Sequence, residues 1–501
     1  MAYSRPGVYI SERLLPAPLA SGVTANAAGA VVAPFAQGPE AVTLVNSWYE
    51  FTKYFGSYNV SYPATFGVAS FFNNGGRELY VQRLLAADAE AASVDLVTSG
   101  SAVVATVTAK NRGTDGNNLR VVISAGDVAS TFTLTLYKES GVAGDITDDI
   151  LVERYENIVF DDNTSSDFAE TVVNLVSPNI TISDSAGGTP VSTTYPLTGG
   201  NDGTAVVADD YIDYQGDGAS VFEQFTSLDR PLVVFLPNIN DTLSVDVADV
   251  YSDAISWAEA NNGFVVAETA ADQTVSNAKT FATSIAGSSN SAVYYPHLYV
   301  ADPIGRGAGA LRKIGPSGAV AGLYLSTDAS RGVFKAPAGI GSTIYGVVAP
   351  EKTFSSTDLD TMNTGTNPVN PIRQIPGAGI AVMGARTLKQ DGTANKYVNM
   401  RRSLIYIRKN LKNLTEFAIF ENNDEKLWAQ IRTIVGSFLN EYRNQGGLRG
   451  ATAAQAYFVV CDAQNNNAQA IANGEVHIQV GVALQYPAEF VVIDLSQKTL
   501  N

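Results

Sequence analysis

The chain has one cysteine, two histidines, four methionines and three tryptophans in 501 residues. A lone Cys461 permits no intrachain disulfide, so the fold was not built around oxidising conditions. His297 and His477 fall in separate units, each inside a strand-like pattern, and neither is expected to have a second metal ligand or an orienting carboxylate close by. Charge is also scarce: 16% of residues are charged, against about a quarter in an average soluble chain. Positive charge is scarcer still. The net charge of −17 argues against nucleic acid or an anionic membrane as a direct partner. No run of about 18 apolar residues occurs, so no stable membrane insertion is expected. The amino terminus lacks the charged-then-apolar pattern of a secretory leader. No G-x-S-x-G elbow, Walker A loop or H-E-x-x-H motif is present, and no cofactor, metal or catalytic residue is assigned.

What is present is apolar surface, 45% of the residues, which excludes a disordered solvating chain. The remainder is rich in Ser, Thr, Asn and Gly. A polar but weakly charged surface loses its water cheaply, which suits a protein whose surface is mostly interface. The charge is unevenly placed. Residues 94–215 hold 5 basic and 18 acidic groups, whereas 376–501 hold 13 basic and 10 acidic.

Periodicity divides the chain into an α/β and α+β multidomain protein. Residues 1–28, with Pro6, Pro16 and Pro18, read as an extended arm in which only short pieces such as Val8-Tyr9-Ile10 are strand-like. Residues 29–93 begin a core: a strand at Ala30–Ala33, a helix opened by Ser47 and Glu50, a second helix ended by Gly75-Gly76, and a strand at 79–81. Residues 94–215 alternate with period two between turn clusters, an inserted, acidic, mostly β unit. Residues 216–375 read as β-α-β-α-β with parallel strands, the last strand over 292–300. Residues 376–487 are α+β: a helix marked by Leu404, Ile407 and Leu411, a strand at Ala418–Phe420, an amphipathic helix opened by Asn422 and Glu425, and two more strands. The segment 488–501 closes the chain as a strand-forming arm through Val491, Val492 and Ile493.

Three stretches invite a chemical reading. Gly305–Ala310 loosely resembles a dinucleotide loop, the basis for an alternative reading as a nucleotide-dependent α/β enzyme. Its third glycine position is alanine, and Pro316 and Gly318 are expected to break the helix that would hold the pyrophosphate. Asp209, Asp210, Asp213 and Asp217 lack calcium-loop spacing and read as a solvated acidic linker. Between Arg386 and Lys412 lie eight basic residues and one acid, Asp391, a solvated helix face or a site for an acidic protein. An acidic surface or adhesin-like structural protein would share the composition but would need an export route.

The strings PGVYISE at 6–12, FFNNGGRELYVQRL at 71–84, YYPHLYVADP at 294–303, GPSGAVAGLYLSTDASRGVFKAPAG at 315–339, PGAGIAVMGARTL at 376–388, YVNMRRSLIYIRKNL at 397–411, AYFVVCD at 456–462 and PAEFVVIDLSQ at 487–497 together resemble the contractile tail sheath family of myophages and related injection systems. The resemblance spans nearly the whole chain, with 94–215 its least diagnostic part. It implies a non-enzymatic subunit that stacks in rings as a helical homo-oligomer around an inner tail tube, with baseplate and tail terminator proteins at the ends. It further implies that the sheath assembles in the host cytoplasm, becomes part of the virion, and contracts from a metastable extended state to drive the tube through the host envelope. Val8, Tyr9, Ile10, Val491, Val492 and Ile493 would add strands to neighbouring subunits. Arg401, Arg408, Lys412, Lys426 and Arg432 would face the tube, and the acidic block would project outward.

Overall fold

A computed structural model describes residues 26–139, 149–184, 188–243, 245–285, 287–305, 307, 309–389 and 394–489. The first apolar runs form β1 (Ala28–Pro34), β2 (Thr43–Val45) and β3 (Leu79–Leu84). All seven residues of β1 are buried, as in a strand covered on both faces. The helices Trp48–Phe55 and Ala64–Asn73 run between β2 and β3. Ser47 caps the first, its hydroxyl accepting from the Glu50 amide at 3.1 Å, while Glu50 accepts from the Asn46 amide at 2.8 Å.

The chain then leaves this layer for β4 (Ser93–Val97), β5 (Val103–Ala109), β6 (Leu119–Ala125), β7 (Phe132–Lys138), β8 (Ile150–Ile158), β9 (Ile180–Asp184) and β10 (Thr194–Pro196). They form two antiparallel sheets, β10-β6-β7-β8 and β4-β5-β9. Leu96, Val107, Val121, Leu134 and Ile158 share one core with Ala169 and Val173 of the helix Ala169–Val176. Two antiparallel bridges, Glu90 to Asn201 and Ser93 to Thr198, set the entry and exit of this block side by side. Fully buried Arg83 ties the neck to the core. It donates to the carbonyls of Phe35 at 3.0 Å, Gly38 at 3.1 Å and Arg112 at 2.9 Å, and pairs with Asp202 at 3.5 Å.

Residues 208–225, expected in part as a solvated linker, instead send Tyr211, Tyr214, Phe222 and Phe225 into the core under the large sheet. Asp210 is buried there because its carboxylate serves the backbone, accepting from the amides of Ala87 at 2.9 Å and Val207 at 2.8 Å.

The β-α-β-α-β run is present: β11 (Leu232–Phe235), β12 (Gly263–Glu268) and β13 (Ser291–Tyr295) pair in parallel and alternate with the helices Val247–Ala260 and Val275–Ser284. The single strand expected over 292–300 is two. After Pro296, which has no amide hydrogen to donate, β14 (Leu298–Ala301) joins β15 (Leu311–Ile314) and β16 (Val347–Pro350) in a separate antiparallel sheet. With β17 (Val369–Ile375) and β18 (Gly379–Val382) the large sheet reads β18-β17-β13-β12-β11-β1-β3-β2, parallel inside and antiparallel at both edges.

Pro316 and Gly318 do not prevent a helix: Ser317–Arg331 is helical. Pro316 stands just before its first turn, where a missing amide hydrogen costs nothing. The glycines let this helix lie directly on Ala64–Asn73. A Cβ at 318 would sit 2.1 Å from the Gly67 carbonyl oxygen, and one at 322 would sit 2.3 Å from that of Phe71.

The chain forms two compact units, Ala27–Arg402 rejoined at Tyr486, and Ser403–Gln485. The edge read at 376 therefore falls inside the larger unit, because β18 pairs with β17. The smaller unit takes up most of the helix Val398–Thr415, then the helix Glu425–Asn444, and β19 (Tyr457–Val460) antiparallel to β20 (Gln479–Val482). Leu427, Ile431, Val435, Leu439 and Tyr442 form the buried stripe of the second helix. Its cap is Asp424 rather than Asn422, with the carboxylate accepting from the Leu427 amide at 2.9 Å. The strand expected at 418–420 is instead a turn between the helices, with Phe420 at φ 65° and fully exposed.

Candidate functional site

Among the described residues, no three His, Cys, Asp or Glu side chains are placed to hold a metal ion, and no helix is long and apolar enough to cross a membrane. His297 is buried, and burial pushes its pKa down; its carbonyl accepts from the Glu351 amide at 2.8 Å. His477 does have a carboxylate beside it, contrary to expectation: Nε2 lies 3.0 Å from Glu475 Oε2. Both side chains are more than half exposed, so solvent screens the pair. Cys461 is buried in the smaller unit. β14 and β15, the strands on either side of the glycine stretch, pair in antiparallel fashion, and the Asp302 amide donates to the Ala310 carbonyl at 2.9 Å. A dinucleotide loop needs a strand-to-helix turn, and this one joins two antiparallel strands.

The basic residues separate into two kinds. Arg408, Lys412 and Lys426 are exposed, the first two one turn apart on the helix Val398–Thr415. Arg401 and Arg432 are half-buried and engaged: Arg401 Nε donates to Asn290 Oδ1 at 2.9 Å, and Arg432 Nη1 to the Cys461 carbonyl. Arg402 is buried, paired with Asp328, its guanidinium 4.8 Å from the centre of the Tyr324 ring. Lys409 is buried as well. The run from 386 to 412 is thus only partly a surface.

The residues assigned to the arms, Val8, Tyr9, Ile10, Val491, Val492 and Ile493, lie outside the described residues. The smaller unit holds a two-stranded sheet, β19–β20. Among the described residues these two strands pair with each other, so each offers an open edge. Phe458 stands opposite Gly481, where a Cβ would come within 2.1 Å of its ring.

Sequence reading grouped Arg386 with the basic run and gave Glu489 no role. In the structure they meet within the larger unit. Arg386 Nε donates to Glu489 Oε1 at 2.7 Å and Nη2 to Oε2 at 2.8 Å. The Tyr397 hydroxyl donates to the same Oε2 at 3.0 Å. Arg386 is itself held, donating from Nη1 to the Asn363 carbonyl at 2.6 Å and from its amide to Asn370 Oδ1 at 2.8 Å. Desolvation alone would raise the Glu489 carboxyl; the bonds from Arg386 outweigh it and hold the group below its usual value. A pair 103 residues apart leaves no periodic trace in a sequence.

Residues 390–498 match the phage tail sheath C-terminal domain. The tail sheath protein of Vibrio phage KVP40 is 24% identical over 180 residues, 36% of this chain, and that of Salmonella phage ViI is 23% identical over 186 residues, 37% of this chain. These matches span only about a quarter of the curated relatives' own length, 26% and 28%. Over nearly its whole length the chain has the fold of sheath proteins. The sheath of an extracellular contractile injection system, PVC, in its contracted state superposes with a TM-score of 0.57 at 21% identity, covering 99% of each chain. The contracted helical sheath of the anti-feeding prophage gives 0.56 at 21%, covering 99% of this chain and 100% of that one. A sheath tail protein from Listeria innocua gives 0.60 at 13%, covering 92% and 95%.

Proposed function

We propose that this chain is the structural, non-enzymatic subunit of a contractile sheath. One observation carries the reading: a fold shared along 99% of the chain with the sheath of a contractile injection system in its contracted state. Copies form a helical stack of rings, and the heterologous contacts from one ring to the next do not close, which is how one surface pair builds a filament. The amino-terminal arm and the carboxyl-terminal strand add to sheets of neighbouring copies, for which the open edges of β19 and β20 are suited. The smaller unit faces an inner tube, the acidic block faces outward, and baseplate and terminator proteins close the two ends. The extended sheath is kinetically trapped. Release at the baseplate lets the units move as rigid bodies into a shorter, wider packing. Assembly takes place in the host cytoplasm, before the particle is complete.

Overexpression tests this directly. The full chain yields long hollow polymers by negative-stain microscopy, and deletion of residues 1–20 leaves a folded, soluble monomer. A full chain that stays monomeric at high concentration overturns the proposal.

A further inference from the structure

The larger unit is left at Arg402 and regained at Tyr486, and Glu489 is the last described residue before the carboxyl-terminal segment. We infer that Arg386 and Tyr397 are positioning residues for that segment: they clamp Glu489 and fix the point from which residues 490–501 depart. The inference rests on the sheath reading, in which that segment pairs with a neighbouring copy.

Three features carry it. The pair is bidentate and charge-assisted, with a phenol as third ligand, which fixes direction as well as distance. The guanidinium is held in advance by the Asn363 carbonyl and its backbone by Asn370, so the receiving side is rigid before the carboxylate arrives. The side chains are only 11% and 23% exposed, so salt and solvent screen this pair less than a surface one. A strand whose root is fixed docks on a neighbour at lower ordering cost and from a narrower set of directions than one that swings from Gln485.

Glu489→Gln keeps the shape and removes the charge, and Arg386→Lys keeps the charge and removes the fork. Both are expected to retain the far-ultraviolet spectrum and melting temperature of the wild-type monomer. A nitroxide spin label on Ala488→Cys, an exposed position while the native Cys461 is buried, tumbles severalfold faster in each, the signature of local release without global unfolding. Polymer yield falls severalfold, and Glu489→Asp, which keeps the charge, recovers part of it. Wild-type polymer yield in Glu489→Gln overturns the clamp, and so does a loss of polymer matched by a lower monomer melting temperature, which marks a merely structural pair. If the wild-type chain itself forms no polymer, the sheath reading fails and the spin label alone decides the clamp: unchanged mobility at 488 in Glu489→Gln refutes it, and faster motion upholds it as an anchor.

Discussion

Glu268 ends β12 fully buried, its carboxylate accepting from the amides of Asn238 at 2.6 Å and Ser317 at 2.8 Å. Burial pushes its pKa up to about 7, against the pull of those two amide bonds. The unfolded chain releases this proton near the ordinary value of 4.5, so between there and about 7 the folded state holds a proton that the unfolded state has lost. The contribution is therefore fully present below pH 4.5 and lost as pH rises through about 7, a change on the order of 3 kcal/mol at most. Urea titrations of the wild type and Glu268→Gln at a series of pH values check it. The wild type should lose stability relative to the variant from about pH 4.5 to about pH 7 and level off above it, and a flat difference would mean that Glu268 titrates normally.

At the scale of elements, the helix Ser317–Arg331 rests on Ala64–Asn73 with no room for a methyl group. Gly322→Ala should destabilise the chain by roughly 1–3 kcal/mol, because the atom in the way is the Phe71 backbone carbonyl, which cannot step aside as a side-chain tip could. Thermal melts measure the cost, and Gly436→Ala, at an open mid-helix position, serves as the comparison that should stabilise by about 0.5–1 kcal/mol. This same contact explains what sequence reading could not see. Breaker rules describe a helix in water, and here glycine is demanded by the neighbour. The apolar runs of β1, β11 and β12 were legible because burial on both faces leaves a continuous signature. The helix Glu425–Asn444 was legible from its stripe. Ile419 and Phe420 misled because β-propensity describes fit to a sheet, and these residues have turn geometry instead. Of the basic residues, sequence spacing placed Arg401, Arg408 and Lys412 on one helix face, where Arg408 and Lys412 are exposed and Arg401 is half-buried, but no pattern revealed that Arg402 and Arg386 are internal, each held by a distant carboxylate.

For the molecule as a whole, the segregation of charge is the testable property. In the sheath reading, replacing Arg408 and Lys412 by Glu should weaken co-assembly with a tube partner while leaving monomer fold and sheath–sheath polymers intact. Co-sedimentation measures it, and tube binding equal to wild type would remove the electrostatic part of the inner-face assignment. The acidic block has a different consequence. Because Ser93 and Thr198 are bridged neighbours, the hundred or so residues between them leave and rejoin the core side by side, and Arg83 and Glu40 of the core add a second hold through Arg112. A chain end and a chain start one strand spacing apart, about 5 Å, need only a tight turn to be rejoined. The β block is therefore an exchangeable cassette once Arg83 and Glu40 are given new partners: it can be excised, enlarged or replaced without rethreading the eight-stranded sheet, and in the sheath reading, with the block outward, that leaves the exterior of the particle free to diversify while the machinery beneath it stays the same.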